Sequence, residues 1–176
     1  KPIVYNIETT NSCNQKCPFC PRTENMTRPV KTMKPSVFKN VVSQLEPHSD
    51  DLWHKWVRFA QNYYGIKQTE QSEDAFFLYI ITRVIVLHGY GDPLLDPHIP
   101  EYVEILTSKN IPSYFSCNPA NIRMDRIQKA FDNGLSYIKF SIDSLTDSVR
   151  GTDAFEKDYP QIMKVLEMDR KTQVII

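Results

Sequence analysis

The sequence predicts an α/β protein: part of a parallel (βα) barrel, about five βα units, with a helical insertion between the first helix and the second strand. Three observations lead there. Short β-branched runs alternate with segments of helical period. The polar clusters follow the strands rather than precede them. One stretch between a helix and a strand is far longer than such a connection needs. At 176 residues, 41% apolar and 24% charged, the chain suffices for one domain with a substantial core.

The elements follow in order. Residues 3–8, IVYNIE, alternate as a short strand, and a polar loop bearing cysteines runs to about Lys34. Pro35, suited to a first helical position, opens PSVFKNVVSQL, where Val37, Phe38, Val41, Val42 and Leu45 repeat at helical spacing. Residues 83–89, RVIVLHG, form a β-branched run closed by glycine, the pattern of a buried strand. IPEYVEILTSK follows as a helix, and IPSYFS (111–116) as the next strand. NIRMDRIQKAFDNG is a helix with Asn121 as expected N-cap and Gly134 just past its end. SYIKFSID is a strand, YPQIMKVLEM a helix, and TQVII begins one more strand. The sheet is therefore expected to be parallel, and the domain to be a truncated one spanning 1–176, with further units past Ile176.

Residues 48–82 break the alternation. DDLWHKWVRFAQNYYG places Leu52, Trp53, Trp56, Phe59, Ala60 and Tyr63 near helical spacing and ends at Gly65. The polar IKQTEQSEDA and the apolar FFLYII follow. An insertion at this point lies on the N-terminal edge of the sheet, opposite the edge where such folds place their sites. Its aromatic stripe reads most simply as packing.

Charge excludes some partners. Lys plus Arg and Asp plus Glu stand at 21 each, so bulk charge makes no case for nucleic acid or an anionic membrane surface. No apolar run reaches the roughly 18–20 residues of a membrane span. The longest, AFFLYIITRVIVLHG, is interrupted by Arg83. The opening residues carry no secretory pattern, so a cytoplasmic, reducing setting is expected, where clustered cysteines read as metal or redox ligands.

The chemistry gathers at the C-terminal ends of the strands. After the first come Cys13, Cys17 and Cys20, spaced C-x3-C-x2-C and holding three of the chain's four cysteines. Three thiols are odd for disulfides and one short of a closed zinc site, which Cys117 or a histidine would have to complete. Thiolates are soft ligands for iron–sulfur clusters, zinc or copper(I), and the ferredoxin spacings differ from this one. After the second strand comes HGYGDPL, after the third Ser116, Cys117 and Asn118, and the fourth ends in SIDS. His88 reads as a pocket-wall residue and Cys117 as a buried one. The basic residues Arg22, Arg28, Lys31 and Lys34 lie in the cysteine loop.

C-x3-C-x2-C directly after the first strand of a βα repeat, with Phe19 beside the last cysteine, resembles the cluster motif of the radical S-adenosylmethionine (radical SAM) superfamily. The resemblance implies a [4Fe–4S] cluster with three irons on Cys13, Cys17 and Cys20, and a fourth iron binding the amino and carboxylate groups of S-adenosylmethionine. Reductive cleavage of that cofactor would then yield a 5′-deoxyadenosyl radical that abstracts hydrogen from a substrate, with the protein supplying binding and orientation. GYGDPLL resembles the second-strand motif that receives the cofactor's amino group. This implies cofactor roles for Gly89, Tyr90, Gly91 and Asp92, with Asp92 where relatives carry Glu. SCNPANI resembles the third-strand segment and implies a role for Asn118. SIDS with Arg150-Gly151 resembles the fourth-strand motif of the branch carrying a C-terminal auxiliary-cluster (SPASM-type) extension, implying Ser141 on the ribose and Arg150 on the carboxylate. Asp143 reads as a turn organiser. That branch implies an oxidoreductase or maturase acting on a peptide or protein side chain, with a small sugar or cyclitol as the alternative substrate. It also implies an electron donor such as flavodoxin or ferredoxin. The rival reading is a zinc- or cluster-stabilised binding module without turnover.

Overall fold

Four parallel strands, β1 (Ile85–Val86), β2 (Ser113–Cys117), β3 (Tyr137–Phe140) and β4 (Gln173–Ile175), lie side by side in chain order. The computed structural model describes residues 4–65, 78, 80, 82–142 and 154–176. The expected first strand runs beside β1: Asn6 bridges Val86 in the parallel sense, and Val86 N–H donates to the Tyr5 carbonyl at 2.8 Å. Among the described residues its backbone pairing is this one bridge, completed by Ile7 N–H donating to the Val86 carbonyl at 2.9 Å. Five parallel segments thus stand in sequence order, as in part of a (βα) barrel.

The helices are α1 (Pro21–Asn25), α2 (Pro35–Ser43), α3 (Asp50–Tyr64), α4 (Ile99–Thr107), α5 (Met124–Asp132) and α6 (Ala154–Leu166). Proline at the first turn starts α2, as its spacing predicts. Lys109 Nζ closes the C-terminal end of α2 by donating to the carbonyls of Val42, Ser43 and Leu45 at 3.0, 3.1 and 2.6 Å. Gly134, at φ 91°, turns the chain out of α5. Two expectations need correction. The N-cap of α5 is Arg123, and Asn121 instead ends a 3₁₀ turn, Pro119–Asn121, whose Ala120 N–H is capped by the Asn118 side chain. The stretch read as a polar loop also contains α1, begun by Pro21.

Side chains alternate across the sheet. Ile85, Leu87, Phe115, Cys117, Ile138 and Phe140 face the helices and are buried with Phe38, Tyr102, Leu106, Ile127 and Ile162. Phe38 stacks on Tyr102 at 4.3 Å between ring centroids, fixing α2 against α4. The other face carries Val86, His88, Tyr114, Ser116, Tyr137 and Lys139. Its register is fixed by the pairs Val86–Tyr114, Tyr114–Tyr137 and Ser116–Lys139.

The insertion begins with α3, capped by Ser49 Oγ accepting from Leu52 N–H at 3.2 Å and ended by Gly65 at φ 67°. Val57, Ala60 and Leu78 form a small second core with Trp53 against it. Arg83 pairs with Asp50 at 2.5 Å and lies 5.4 Å over the Trp53 ring, while the His48 ring meets Tyr5 edge-on at 5.2 Å. These contacts tie α3 to the starts of the first segment and β1, the N-terminal edge of the sheet. Among the described residues no helix is long and apolar enough to cross a membrane. Asp143, Ser144, Arg150, Gly151 and most of IKQTEQSEDAFFLYII lie outside the described residues.

Candidate active site

The cysteines occupy a loop closed at its base. Met33 N–H donates to the Thr9 carbonyl at 2.7 Å, and the Thr10 and Thr32 hydroxyls meet at 2.9 Å. Asn11 bonds its partner strand three times: its N–H to the Lys31 carbonyl (3.1 Å), its Nδ2 to Pro29 (3.0 Å) and its Oδ1 from Lys31 N–H (2.6 Å). The segment between is thereby held against the end of the first strand. Inside it the Cys17 carbonyl accepts from Cys20 N–H at 3.1 Å and Thr23 Oγ1 at 2.9 Å, and Arg22 Nε donates to the Asn11 carbonyl at 3.1 Å. Cys17 is buried, Cys13 and Cys20 are half-buried, and all three thiols are free. Burial raises the Cys13 pKa, and the Asp92 charge adds to that, while Gln15 N–H at 3.4 Å from Sγ opposes it. Among the described residues no three Cys, His, Asp or Glu side chains converge on a metal-sized point, so the thiols share a loop without forming a closed ligand set.

The turn after β1 packs directly on this loop. Asp92 N–H donates to the Ser12 carbonyl at 2.8 Å. A Cβ on Gly91 would stand 2.1 Å from the Thr10 carbonyl oxygen, so only glycine allows the two backbones this approach. A Cβ on Gly89 would stand 2.5 Å from the side-chain Oε1 of Glu8, which accepts from Tyr90 N–H at 2.5 Å. Glu8 Oε2 pairs with Arg28 at 2.5 Å, and Arg28 lies 5.3 Å over the Tyr90 ring.

Asp92 is the knot of the site. Its buried carboxylate accepts from Leu94 N–H (2.9 Å), Asn118 N–H (2.9 Å) and Asn121 Nδ2 (2.8 Å), joining the turns after β1 and β2. Asn121 in turn exchanges two amide bonds with Asn14, at 2.8 and 3.1 Å, which brings the cysteine loop into the same network. The Asp92 carboxylate thus holds the turn. Asn118 Oδ1 accepts from Ala120 N–H at 3.1 Å, while its Nδ2 is buried with no hydrogen-bond partner among the described residues.

A second polar group lies on the uncovered sheet face. His88 Nδ1 accepts from Ser116 N–H at 3.0 Å, which places the ring proton on Nε2. Burial first, then the Lys139 charge, lowers the His88 pKa to about 4, so the ring is neutral at physiological pH. Ser116 Oγ lies 2.9 Å from Ser141 Oγ. Cys117 points the other way, into the helix-covered core.

The turn 89–92, Asn118 and the cysteine loop are therefore brought together, Ser141 joins them through Ser116 and His88, and Arg150 lies outside the described residues. Sequence reasoning missed the roles of Glu8, Asn14 and Lys139. Period-two alternation places Glu8 and Lys139 on the inner face and was the signal available. Asn14 carried none.

A family model described as the radical SAM superfamily matches residues 7–174. The chain belongs to the radical SAM superfamily. Proteins of that family use a [4Fe–4S] cluster and S-adenosylmethionine. No curated protein matches. Among solved structures the chain is similar to BtrN in complex with AdoMet and 2-DOIA, at 16% identity and TM-score 0.59, covering 99% of this chain and 58% of that one. It is also similar to selenomethionine BtrN in an open conformation, at 16% identity and TM-score 0.52, covering 85% of this chain and 55% of that one. These likenesses show the radical SAM fold, and this chain spans a little over half the length of those relatives.

The donor chemistry fits the radical SAM cofactors. Three free thiols on one anchored loop are soft ligands with no fourth among them, and the partnerless amide of Asn118 offers a donor at the adjoining turn.

Proposed function

We propose that this chain is the N-terminal part of a radical SAM catalytic core that initiates hydrogen abstraction from an unactivated C–H bond. In this reading Cys13, Cys17 and Cys20 hold a [4Fe–4S] cluster, which with bound S-adenosylmethionine supplies the radical chemistry. The chain's own residues bind and orient. The backbone of Gly89, Tyr90, Gly91 and Asp92 forms the cofactor-facing turn, with the Asp92 carboxylate setting its shape. Asn118 Nδ2 and the Ser141 hydroxyl offer hydrogen bonds to the cofactor, and Arg150 offers a bidentate partner for its carboxylate. The inner face at His88, Ser116 and Lys139 receives the substrate.

The observation that carries this reading is the convergence of a free three-cysteine loop with the turns after β1 and β2 at one edge of the sheet, through Asp92, Asn118, Asn121 and Asn14. The branch motifs favour a peptide or protein side chain as substrate. The structural likeness to BtrN, solved with 2-DOIA, favours a small metabolite as the second reading. An electron donor of the flavodoxin or ferredoxin kind and a cytoplasmic setting accompany both.

Anaerobic reconstitution tests it. About four irons and four sulfides per chain are expected, together with release of 5′-deoxyadenosine when a reductant and S-adenosylmethionine are added. A stable, colourless protein holding zinc would overturn the reading.

A further inference from the structure

The face of the sheet opposite the helix-packed core has an unusual composition among the described residues. Parallel sheets in α/β proteins are ordinarily apolar on both faces. Here the helix-covered face obeys that rule, yet the opposite face carries His88, Ser116, Lys139 and Ser141 on three adjoining strands or their ends. Pairing of Ser116 with Lys139, and of Lys139 with Ile175, puts the lysine at a central position of the sheet rather than at an edge. Its strand neighbours Ile138 and Phe140 are fully buried in the core, while Lys139 is exposed on the other side.

We infer that the substrate carries a carboxylate, and that Lys139 receives it on this inner face with His88 and Ser116 as neutral donors. The inference rests on the radical SAM reading above and adds to it the chemical class of the substrate. Among the described residues the Lys139 ammonium makes no ion pair and no hydrogen bond, so its charge is uncommitted. An acid of the same face, Glu8, is already bound to Arg28 and to Tyr90 N–H. His88 cannot answer the charge, because its Nδ1 is taken by Ser116 N–H and its Nε2 is a donor. The local balance is therefore one positive charge flanked by neutral donors, which suits a monoanion. A phosphate, with more charge to satisfy, calls for an arginine fork or a helix N-terminus, and neither stands among the described residues facing Lys139. The low His88 pKa agrees with a lysine charge close by.

The test uses the full-length reconstituted protein with S-adenosylmethionine present, wild type and Lys139→Gln. Acetate, glutarate, their amides and inorganic phosphate are titrated in, and affinities are read by ligand-observed saturation-transfer NMR. At least one carboxylate should bind about tenfold more tightly than its amide, and Lys139→Gln should abolish that preference. Equal binding of acid and amide, tighter binding of phosphate, no carboxylate binding, or a preference that survives Lys139→Gln would each overturn the inference. So would an equal loss of S-adenosylmethionine affinity in Lys139→Gln, since the lysine would then serve the cofactor's own carboxylate. Substrate-free cleavage of S-adenosylmethionine by the wild type reports the underlying reading separately: its absence alongside intact carboxylate selectivity sinks that reading and leaves the charge site standing.

Discussion

The two edges of the sheet are built on different principles. At the C-terminal edge, backbone approaches backbone closely and polar groups are tied to one another: Gly91 against Thr10, and Asp92 to three donors from two turns. At the N-terminal edge, α3 is attached by the small core of Val57, Ala60 and Leu78 and by the solvent-facing pair Arg83–Asp50. Its rings meet one another along the helix, Trp56 edge-on to Phe59 and Phe59 stacked on Tyr63, with Tyr63 72% exposed. Geometry is over-determined at one edge and loosely held at the other. Fixed polar geometry is what positioning a reactive cofactor requires, and it is the first edge that supplies it.

That contrast sets the order of expected effects. Gly91→Ala should be the most damaging single change, about 3 kcal/mol or more, because the added methyl meets a carbonyl that cannot swing aside. Chemical denaturation of the full-length protein measures it, and a loss under 1 kcal/mol would mean that the two backbones are free to part. Asp92→Ala should follow at about 2–3 kcal/mol, since it strands the buried N–H groups of Leu94 and Asn118 and the Asn121 amide. Asp92→Asn, which keeps one acceptor, should cost less.

His88 gives a pH-dependent comparison. Its pKa of about 4 in the folded chain lies below the ordinary histidine value, so the unfolded state takes up the proton first as pH falls. The stability is fully present above about pH 6.5 and declines toward pH 4, with about 2 kcal/mol gone by pH 5. His88→Asn keeps an acceptor for Ser116 N–H and should flatten that acid-side loss. Denaturation midpoints at pH 7 and pH 5 decide, and identical slopes in both proteins would refute the assignment. The smallest effect is expected at the other edge: Lys55→Ala breaks an exposed pair with Asp51 and should leave the thermal midpoint within error.

Much of this was legible in the sequence because the signals were local. A β-branched run closed by glycine located β1, the apolar runs IPSYFS and SYIKFSID located β2 and β3, and Gly65 marked the end of α3. The three cysteines announced their loop by spacing alone. What stayed hidden was long-range. Nothing near Asn121 tells that it leaves its expected capping place to bridge Asp92 and Asn14, because that choice is made by a partner 107 residues away. The Asp-Pro and Asn-Pro pairs at 92–93 and 118–119 open the 3₁₀ turns Pro93–Leu95 and Pro119–Asn121 that carry this network. The pairing of Glu8 with Arg28 likewise depends on how the cysteine loop folds back, which no periodicity encodes.

The central claim, that the cysteine loop holds a cluster with a place left for S-adenosylmethionine, is tested most directly by electron paramagnetic resonance of the reduced, reconstituted protein. The account predicts a [4Fe–4S] signal that changes on adding S-adenosylmethionine and that is absent from a variant with Cys13, Cys17 and Cys20 replaced by alanine. A signal indifferent to S-adenosylmethionine, or one that survives loss of the three cysteines, would contradict it.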